Sequence, residues 1–281
     1  MIEEAETEKR EKESVTWGAV LWPQYRRTVV IGIGMLSFAC WTGINSVIFY
    51  SSDIFEMAGV KESLLSTVLV FGLNVVVTVI VVTIVDKVGR KKLLVTGSTF
   101  MVAGLVIMGS VLQYSNSTSA GVITVLCVLL YMSGFALAWG GVGFTIVGEV
   151  VPTSIRQKVM SISTLLNWIG NLALSAGMLS FIQLLGGGSS KEEKRIGAGR
   201  VYWIFGAVSV CAWLFAVFVV PETKGKSLEE LQRMLAPIIP RSGDVEDNEK
   251  VSLLSSDSGN LSDYGNTLNP ENEGDAMRRR T

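Results

Sequence analysis

The sequence predicts an all-α membrane protein, a bundle of six transmembrane helices, and two observations carry that prediction. Each of six apolar runs is long enough to cross a bilayer core about 30 Å thick as a helix. None of the runs contains Asp, Glu, Lys or Arg, so each enters the membrane without the penalty of a buried charge. Strands of a membrane barrel would alternate over about ten residues, which these runs do not. The runs are residues 28–51, 64–85, 93–112, 120–148, 159–185 and 201–220.

Composition excludes several function classes. The chain is 49% hydrophobic and 17% charged, well below the charged share of about 25% in a soluble domain. A net charge of -1 argues against nucleic-acid binding, which needs a basic face. The chain has no histidine, and its three cysteines lie in apolar runs without metal-ligand spacing. We therefore expect buried free thiols, no metal and no cofactor. With no nucleophile motif and no phosphate loop, the sequence does not indicate an enzyme.

Basic residues flank the runs unevenly, and this sets the expected orientation. The richer set includes Arg27, Arg90, Arg156 and Lys224. Cytoplasmic loops carry the excess of Lys and Arg, so both termini are expected in the cytoplasm. A smaller basic cluster between the fifth and sixth runs, residues 191–200, is a counter-signal.

The segments outside the runs differ in composition. Residues 1–27 are dense in charge before an apolar face begins, which predicts a cytoplasmic linker helix. Residues 221–237 predict a short helix on the cytoplasmic membrane surface. Residues 238–281 are rich in Ser, Asp, Glu, Asn and Gly and bury too little apolar surface to fold, so a disordered cytoplasmic tail is expected.

Four short motifs occur in order around the runs, and together they resemble the C-terminal half of the sugar-porter family of the major facilitator superfamily. They are Thr42–Asn45 with Phe49–Tyr50 in the first run, Asp86–Lys92 after the second, Glu149 with Pro152 and Arg156 after the fourth, and Pro221–Glu230 after the sixth. Transporters of that family have twelve spans in two related halves, with substrate between the halves near the bilayer midplane. The resemblance thus implies one half of such a transporter, beginning in the central linker.

Asparagines within the runs are the candidate substrate ligands. A buried amide is costly unless it is hydrogen-bonded, and an amide can both donate to and accept from a sugar hydroxyl. The resemblance implies that Asn45, Asn74 and Asn167 contact a sugar or polyol, together with Phe144 and Trp168. The alternative is interhelical hydrogen bonding, which we assign to Asn171.

The sequence also departs from the family's site. Ala39 and Cys40 stand where the family usually has two glutamines, and Phe144 replaces a tryptophan, losing its N–H donor. Glucose as the substrate is therefore in doubt, and a different polyol, a weaker sugar site or a degenerate transporter remains open. Three glycines before and after Val142 predict a bend in the fourth run.

Charged residues at the ends of the runs form a second candidate site. The resemblance implies ion pairs that latch the inner gate in the outward-facing state, while topology alone would explain the lysines but not the carboxylates. The residues are Asp86, Gly89, Arg90, Glu149, Arg156 and Glu222.

Two further features bear on gating and localisation. Phe49 and Tyr50 match the family's outer gate, although aromatics near the end of a run also anchor at the membrane interface.

Glu249, Leu253 and Leu254 form an acidic dileucine pattern that resembles a sorting signal read by a vesicle-coat adaptor. The expected location is the plasma membrane or an endosomal or vacuolar membrane.

The leading hypothesis is transport of a sugar or polyol by alternating access, with this chain as the second half of the transporter. Its partner would be the missing N-terminal six-span half or a second copy. The alternative is a transport-incompetent six-span fragment, or a regulatory membrane protein that binds another transporter.

Overall fold

A computed structural model describes residues 17, 23–57, 63–115, 118–188 and 190–235. The chain divides into two units, residues 1–236 and 237–281, and every described residue belongs to the first. The secondary structure of that part is helical throughout. The helices are α1 (Arg26–Trp41), α2 (Ile44–Met57), α3 (Ser63–Val88), α4 (Arg90–Tyr114), α5 (Thr118–Phe135), α6 (Val142–Val150), α7 (Thr153–Gly186), α8 (Lys191–Phe218) and α9 (Leu228–Leu235), with a π-helical turn at Ala136–Gly140.

Six segments of the described chain are long and apolar enough to cross a membrane: Arg26–Glu56, Leu64–Val88, Arg90–Tyr114, Ser119–Val150, Thr153–Gly186 and Lys191–Phe218. The predicted six-span, all-α fold is confirmed. We number these spans one to six in chain order. Of the predicted linker helix, the structure describes Trp17 and residues 23–27, and the predicted tail lies outside the described residues.

Span one is not continuous but consists of α1 and α2, separated at Thr42 and Gly43. Gly43 has φ +93°, a conformation that side-chain-bearing residues rarely adopt. A Cβ at this position would also lie 2.6 Å from the Phe205 ring of α8. The buried Tyr131 of α5 donates its hydroxyl hydrogen to the Thr42 carbonyl at 3.2 Å. This bond supplies a hydrogen-bond donor to a carbonyl at the break, so packing within the bundle stabilises the interruption.

Span four is also interrupted, between α5 and α6. The π-helical turn ends at Gly140, and α6 begins two residues later. The fully buried Trp139 in this turn donates its indole N–H to Ser98 Oγ of α4 at 2.9 Å. A helix irregularity therefore lies where the glycine-rich stretch predicted a bend.

Helix α4 packs closely against α5 and α8 through glycines. A Cβ on Gly134 of α5 would lie 2.6 Å from the Gly97 carbonyl of α4, and a Cβ on Gly199 of α8 would lie 2.8 Å from the Gly109 carbonyl. Small residues let membrane helices approach at backbone distance, where van der Waals contact holds them together. These contacts bring α4 to backbone distance of both α5 and α8.

Two spans lie at the margin of this core. Only 11% of the most apolar stretch of α3 and 17% of that of α7 is buried, against 61% for span one. Helices α3 and α7 therefore expose broad apolar faces to lipid or to another membrane segment.

The basic residues that opposed the predicted orientation have local partners. Arg195 donates to the carbonyl of Ser115, just after α4, and Arg200 donates to the carbonyl of Leu185 near the end of α7. Cations at helix C-termini satisfy unpaired carbonyls and interact favourably with the helix dipole. These two arginines thus have a structural reason for their position, independent of membrane orientation.

Candidate functional site

Three of the candidate amides converge between span one and span five. Asn167 of α7 donates its amide N–H to the Leu36 carbonyl of α1 at 2.7 Å. Asn171, one turn further along α7, donates to Asn167 Oδ1 at 3.0 Å. Asn45, in the first turn of α2, donates to Asn171 Oδ1. We call Asn45, Asn167 and Asn171 the amide cluster.

Asn74 lies on a different pair of helices. Its amide N–H on α3 donates to the Met132 carbonyl of α5 at 3.3 Å. Both Asn74 and the amide cluster thus make the interhelical bonds that a buried amide requires. Such bonds are compatible with a ligand too, since each side-chain amide has two N–H donors and an oxygen that accepts twice.

The candidate aromatic residues are strongly exposed in this bundle. Trp168 is 67% exposed, Phe49 is 63% exposed and Phe144 is 48% exposed. Tyr50 behaves differently, because its hydroxyl donates to the Ser175 carbonyl of α7 at 2.8 Å. Of the two predicted outer-gate residues, Tyr50 is therefore fixed to span five, and Phe49 faces away from the described core.

The positions that depart from the family's glutamines are packed inside the bundle. Cys40 is 1% exposed and its thiol donates to Asn171 Oδ1 at 3.0 Å, while Ala39 is 8% exposed. The expectation of buried thiols holds for Cys40 and Cys127 but is wrong for Cys211, which lies exposed on α8. An apolar run does not say which face of a helix a residue takes.

The charged candidates meet at one end of the bundle, centred on Arg90. Its guanidinium contacts Asp86 Oδ1 at 2.8 Å and Glu149 Oε1 at 3.1 Å. The Arg90 side chain is 17% exposed, Glu149 is 30% exposed and Asp86 is 76% exposed. Within the described residues, Arg90 Nε and Glu149 Oε2 are buried and meet no hydrogen-bond partner. We call Asp86, Gly89, Arg90, Glu149 and Glu222 the charged end.

Gly89 and Glu222 complete this end. Gly89 has φ +105°, and a Cβ there would lie 3.0 Å from Glu222 Oε2, so both the turn and the close carboxylate favour glycine. Glu222 Oε1 accepts the backbone N–H of Lys224 at 3.1 Å. The Lys224 ammonium in turn donates to the Lys87 carbonyl.

Arg156, the remaining gate candidate, is bonded locally. Its Nε donates to the Val151 carbonyl at 3.0 Å, spanning the junction between α6 and α7. Nearby, α9 packs on α6 with Leu231 and Leu235 buried and Arg233 exposed. The end of span four is thus held by a guanidinium on one side and by an amphipathic helix on the other.

The assignment of Asn171 to interhelical hydrogen bonding is confirmed, because its Oδ1 accepts from Cys40 and Asn45 of span one. The sequence did not indicate a polar partner for Cys40, nor that Asn171 lies at the centre of the amide cluster. The available signal was the spacing of Asn171 from Asn167, because residues four apart lie on the same helix face.

The six spans, their interior amides and the ion-paired charged end define an integral, multi-pass membrane protein of the transporter class. Residues 1–235 match the family described as "Sugar (and other) transporter", and the chain belongs to that family. The sugar-porter resemblance is thereby confirmed, and the relatives are transporters, not enzymes.

Similar proteins include two bacterial transporters. The chain is 36% identical over 219 residues to the glucose transporter GlcP of Staphylococcus epidermidis, covering 77% of this chain and 47% of that protein. It is 33% identical over 211 residues to the D-xylose-proton symporter of Escherichia coli, covering 74% of this chain and 41% of the symporter. The chain thus spans less than half the length of these relatives.

Solved structures agree with the fold. The crystal structure of a double-tryptophan mutant of XylE has a TM-score of 0.65 and 32% identity, covering 74% of this chain and 43% of that one. The major facilitator proton:xylose symporter XylE bound to 6-bromo-6-deoxy-D-glucose has a TM-score of 0.63 and 33% identity, covering 74% and 42%. The bundle therefore has the major facilitator architecture over about the length of one half.

Proposed function

We propose that the chain transports a sugar or polyol by alternating access, as the second half of a two-part transporter. The observation that carries this proposal is the amide cluster, which lies between spans one and five of a chain belonging to a sugar-transporter family. The chain spans less than half of its relatives' length, which supports a second bundle as partner. That partner is an N-terminal six-span half or a second copy, and it covers the exposed faces of α3 and α7.

The substrate site consists of Asn45, Asn74 and Asn167, with Phe144 and Trp168 as apolar faces for the sugar ring. The exposure of both aromatic rings supports this assignment, because a ring that stacks on a sugar cannot be buried in the core. The relatives' names include glucose and D-xylose as substrates, and both are first probes for this chain.

Gating involves both ends of the bundle. At the charged end, Arg90 holds the start of span three to the end of span four through Glu149, and separation of this pair accompanies inward opening. Arg156 and Glu222 belong to the same latch. At the opposite end, Phe49 and Tyr50 form the outer gate. The bond from Tyr50 to α7 supports a role in closing span one against span five.

The charged end faces the cytoplasm in this proposal, and so do both termini. The acidic dileucine pattern of Glu249, Leu253 and Leu254 directs the protein to an endosomal or vacuolar membrane through a vesicle-coat adaptor. These three residues lie outside the described part of the chain. Replacing both leucines by alanine is expected to move a fluorescent fusion to the plasma membrane, and an unchanged distribution would exclude the signal.

Uptake of radiolabelled D-glucose and D-xylose into proteoliposomes tests the transport proposal. Saturable uptake by the purified chain, competed by unlabelled sugar, is expected if two copies assemble. Sugar binding without uptake would identify the N-terminal half as the required partner. A chain that neither binds nor carries any sugar in a panel of hexoses, pentoses and polyols would refute the proposal and favour a regulatory membrane protein.

A further inference from the structure

Helix α7 presents a row of polar groups to span one, each one turn from the next. Asn167 donates to the Leu36 carbonyl at 2.7 Å, Asn171 lies at the next turn, and the Ser175 carbonyl accepts from Tyr50 at 2.8 Å. Residues four apart share a helix face, so the three groups form a ladder along span one. Asn171 is its middle member.

Asn171 holds two donors with one oxygen. Its Oδ1 accepts from the Cys40 thiol at 3.0 Å and from the Asn45 amide. Cys40 is the next-to-last residue of α1, and Asn45 is the second residue of α2. The two donors therefore lie on opposite sides of the break at Gly43. A single side chain of span five thus connects both parts of span one.

Asn171 also fixes the third member of the amide cluster. Its Nδ2 donates to Asn167 Oδ1 at 3.0 Å, and Asn167 then directs its own amide N–H to Leu36. The orientations of Asn45 and Asn167 are consequently set by one residue. An amide held in this way presents its remaining N–H and lone pairs in a fixed direction, which lowers the entropic cost of binding a hydroxyl.

We propose that Asn171 is a positioning residue that pre-orients Asn45 and Asn167 for sugar binding and joins the two parts of span one. This inference rests on the proposed function, since it assigns Asn171 a role in the same substrate site. Cys40 takes part as the second donor, at a position where the family's glutamine would offer its own amide to the ligand. In this chain the residue at position 40 is turned towards the protein, which leaves hydroxyl recognition to the asparagines.

Two substitutions separate the bonds of Asn171. Asn171→Leu keeps the number and branching of the side-chain heavy atoms and removes both the acceptor and the donor. Asn171→Asp keeps the oxygen that accepts from Cys40 and Asn45 but loses the donor to Asn167. Ser98→Ala is the matched control, because it removes another buried interhelical bond, that of the Trp139 indole, at a site away from the amide cluster.

The S–H stretching band of Cys40 reports the hydrogen bond from its thiol to Asn171, and no sugar is needed for this measurement. In a Cys127→Ala, Cys211→Ala background, Cys40 is the remaining thiol of the chain. A thiol donating to an amide carbonyl absorbs at lower frequency than a free one, as expected for a weakened S–H bond. Asn171→Leu is expected to raise the frequency, whereas Ser98→Ala leaves it near the starting value. Asn171→Asp keeps an acceptor oxygen, so the band stays at or below the starting value. A band that Asn171→Leu does not move would overturn the proposal.

Equilibrium binding of radiolabelled D-glucose or D-xylose to the chain in nanodiscs measures how each substitution changes the Kd for sugar. Losing the orientation of two amides is expected to raise Kd about tenfold or more in Asn171→Leu, with a smaller rise in Asn171→Asp. Ser98→Ala is expected to bind as the unmodified chain does. An unchanged Kd in Asn171→Leu with a shifted thiol band would refute the positioning role. If the unmodified chain binds no sugar while the thiol band shifts in Asn171→Leu, the proposed function fails. The hydrogen bonds of Asn171 are then confirmed without a role in sugar binding.

Discussion

The ion pairs of Arg90 should have unequal energies, and the order is opposite to that of their distances. Asp86 lies nearer to the guanidinium, at 2.8 Å, than Glu149, at 3.1 Å. Coulomb energy falls as the inverse of distance, so this difference changes the attraction by about a tenth. Exposure matters more, because the effective dielectric constant falls severalfold between water and the protein interior.

Burial therefore sets the expected magnitudes. The Asp86 side chain is 76% exposed, and an exposed pair contributes about 0.5 kcal/mol. Glu149 is 30% exposed, and Arg90 is 17% exposed. Breaking a fully buried pair costs about 3–5 kcal/mol, and partial exposure of Glu149 reduces this to about 2 kcal/mol. The charged end is thus held mainly by Arg90 and Glu149, which join the start of span three to the end of span four.

Double-mutant cycles measure both couplings. Arg90→Gln is combined with Glu149→Gln and, separately, with Asp86→Asn, and the free energy of unfolding is measured in mixed micelles with increasing SDS. Lys92→Gln is the control for loss of a basic charge in the same first turn of α4, since Lys92 is exposed, and a change within about 0.5 kcal/mol is expected. A coupling energy to Asp86 equal to or larger than that to Glu149 would refute the reasoning from burial.

Three further substitutions test the fold. Gly89→Ala should destabilise the chain by about 1–2 kcal/mol in SDS unfolding, because it strains a positive φ and meets the Glu222 carboxylate; a neutral result would contradict the turn geometry. Gly134→Ala should cost about 1–3 kcal/mol by separating α4 and α5, while Gly72→Ala, with nothing within 4 Å, should be neutral or stabilising; equal effects would rule out the close contact. Tyr131→Phe should cost about 1 kcal/mol by removing the bond to the carbonyl at the span-one break, and the absence of any loss would exclude that bond as a support.

The fold was predictable from sequence because the membrane imposes a length. A helix must supply about 20 apolar residues to cross the bilayer, so uncharged runs identify the spans directly. The glycine-rich stretch located the irregularity in span four, whereas the break within span one was harder to locate. The Thr42–Gly43 interruption depends on Tyr131 and Phe205, which lie far away in the chain, and no local pattern specifies such contacts.

The candidate site was predictable in residue type but not in connectivity. The interior asparagines were identified because a buried amide is costly unless it is hydrogen-bonded. The carboxylates at the ends of the runs were identified because membrane topology does not explain them. Which amide bonds to which depends on the rotation of α7 relative to span one. For that reason only the structure shows that Cys40 and Asn45 both donate to Asn171.

Equilibrium sugar binding to Asn45→Leu and Asn167→Leu variants tests whether the amide cluster binds sugar. We expect saturable binding of radiolabelled D-glucose or D-xylose to the unmodified chain, weakened about tenfold or more in each variant and retained in Ser98→Ala. Binding of the same affinity in all four proteins would exclude the amide cluster as the sugar site, since the sugar would then lie elsewhere in the bundle.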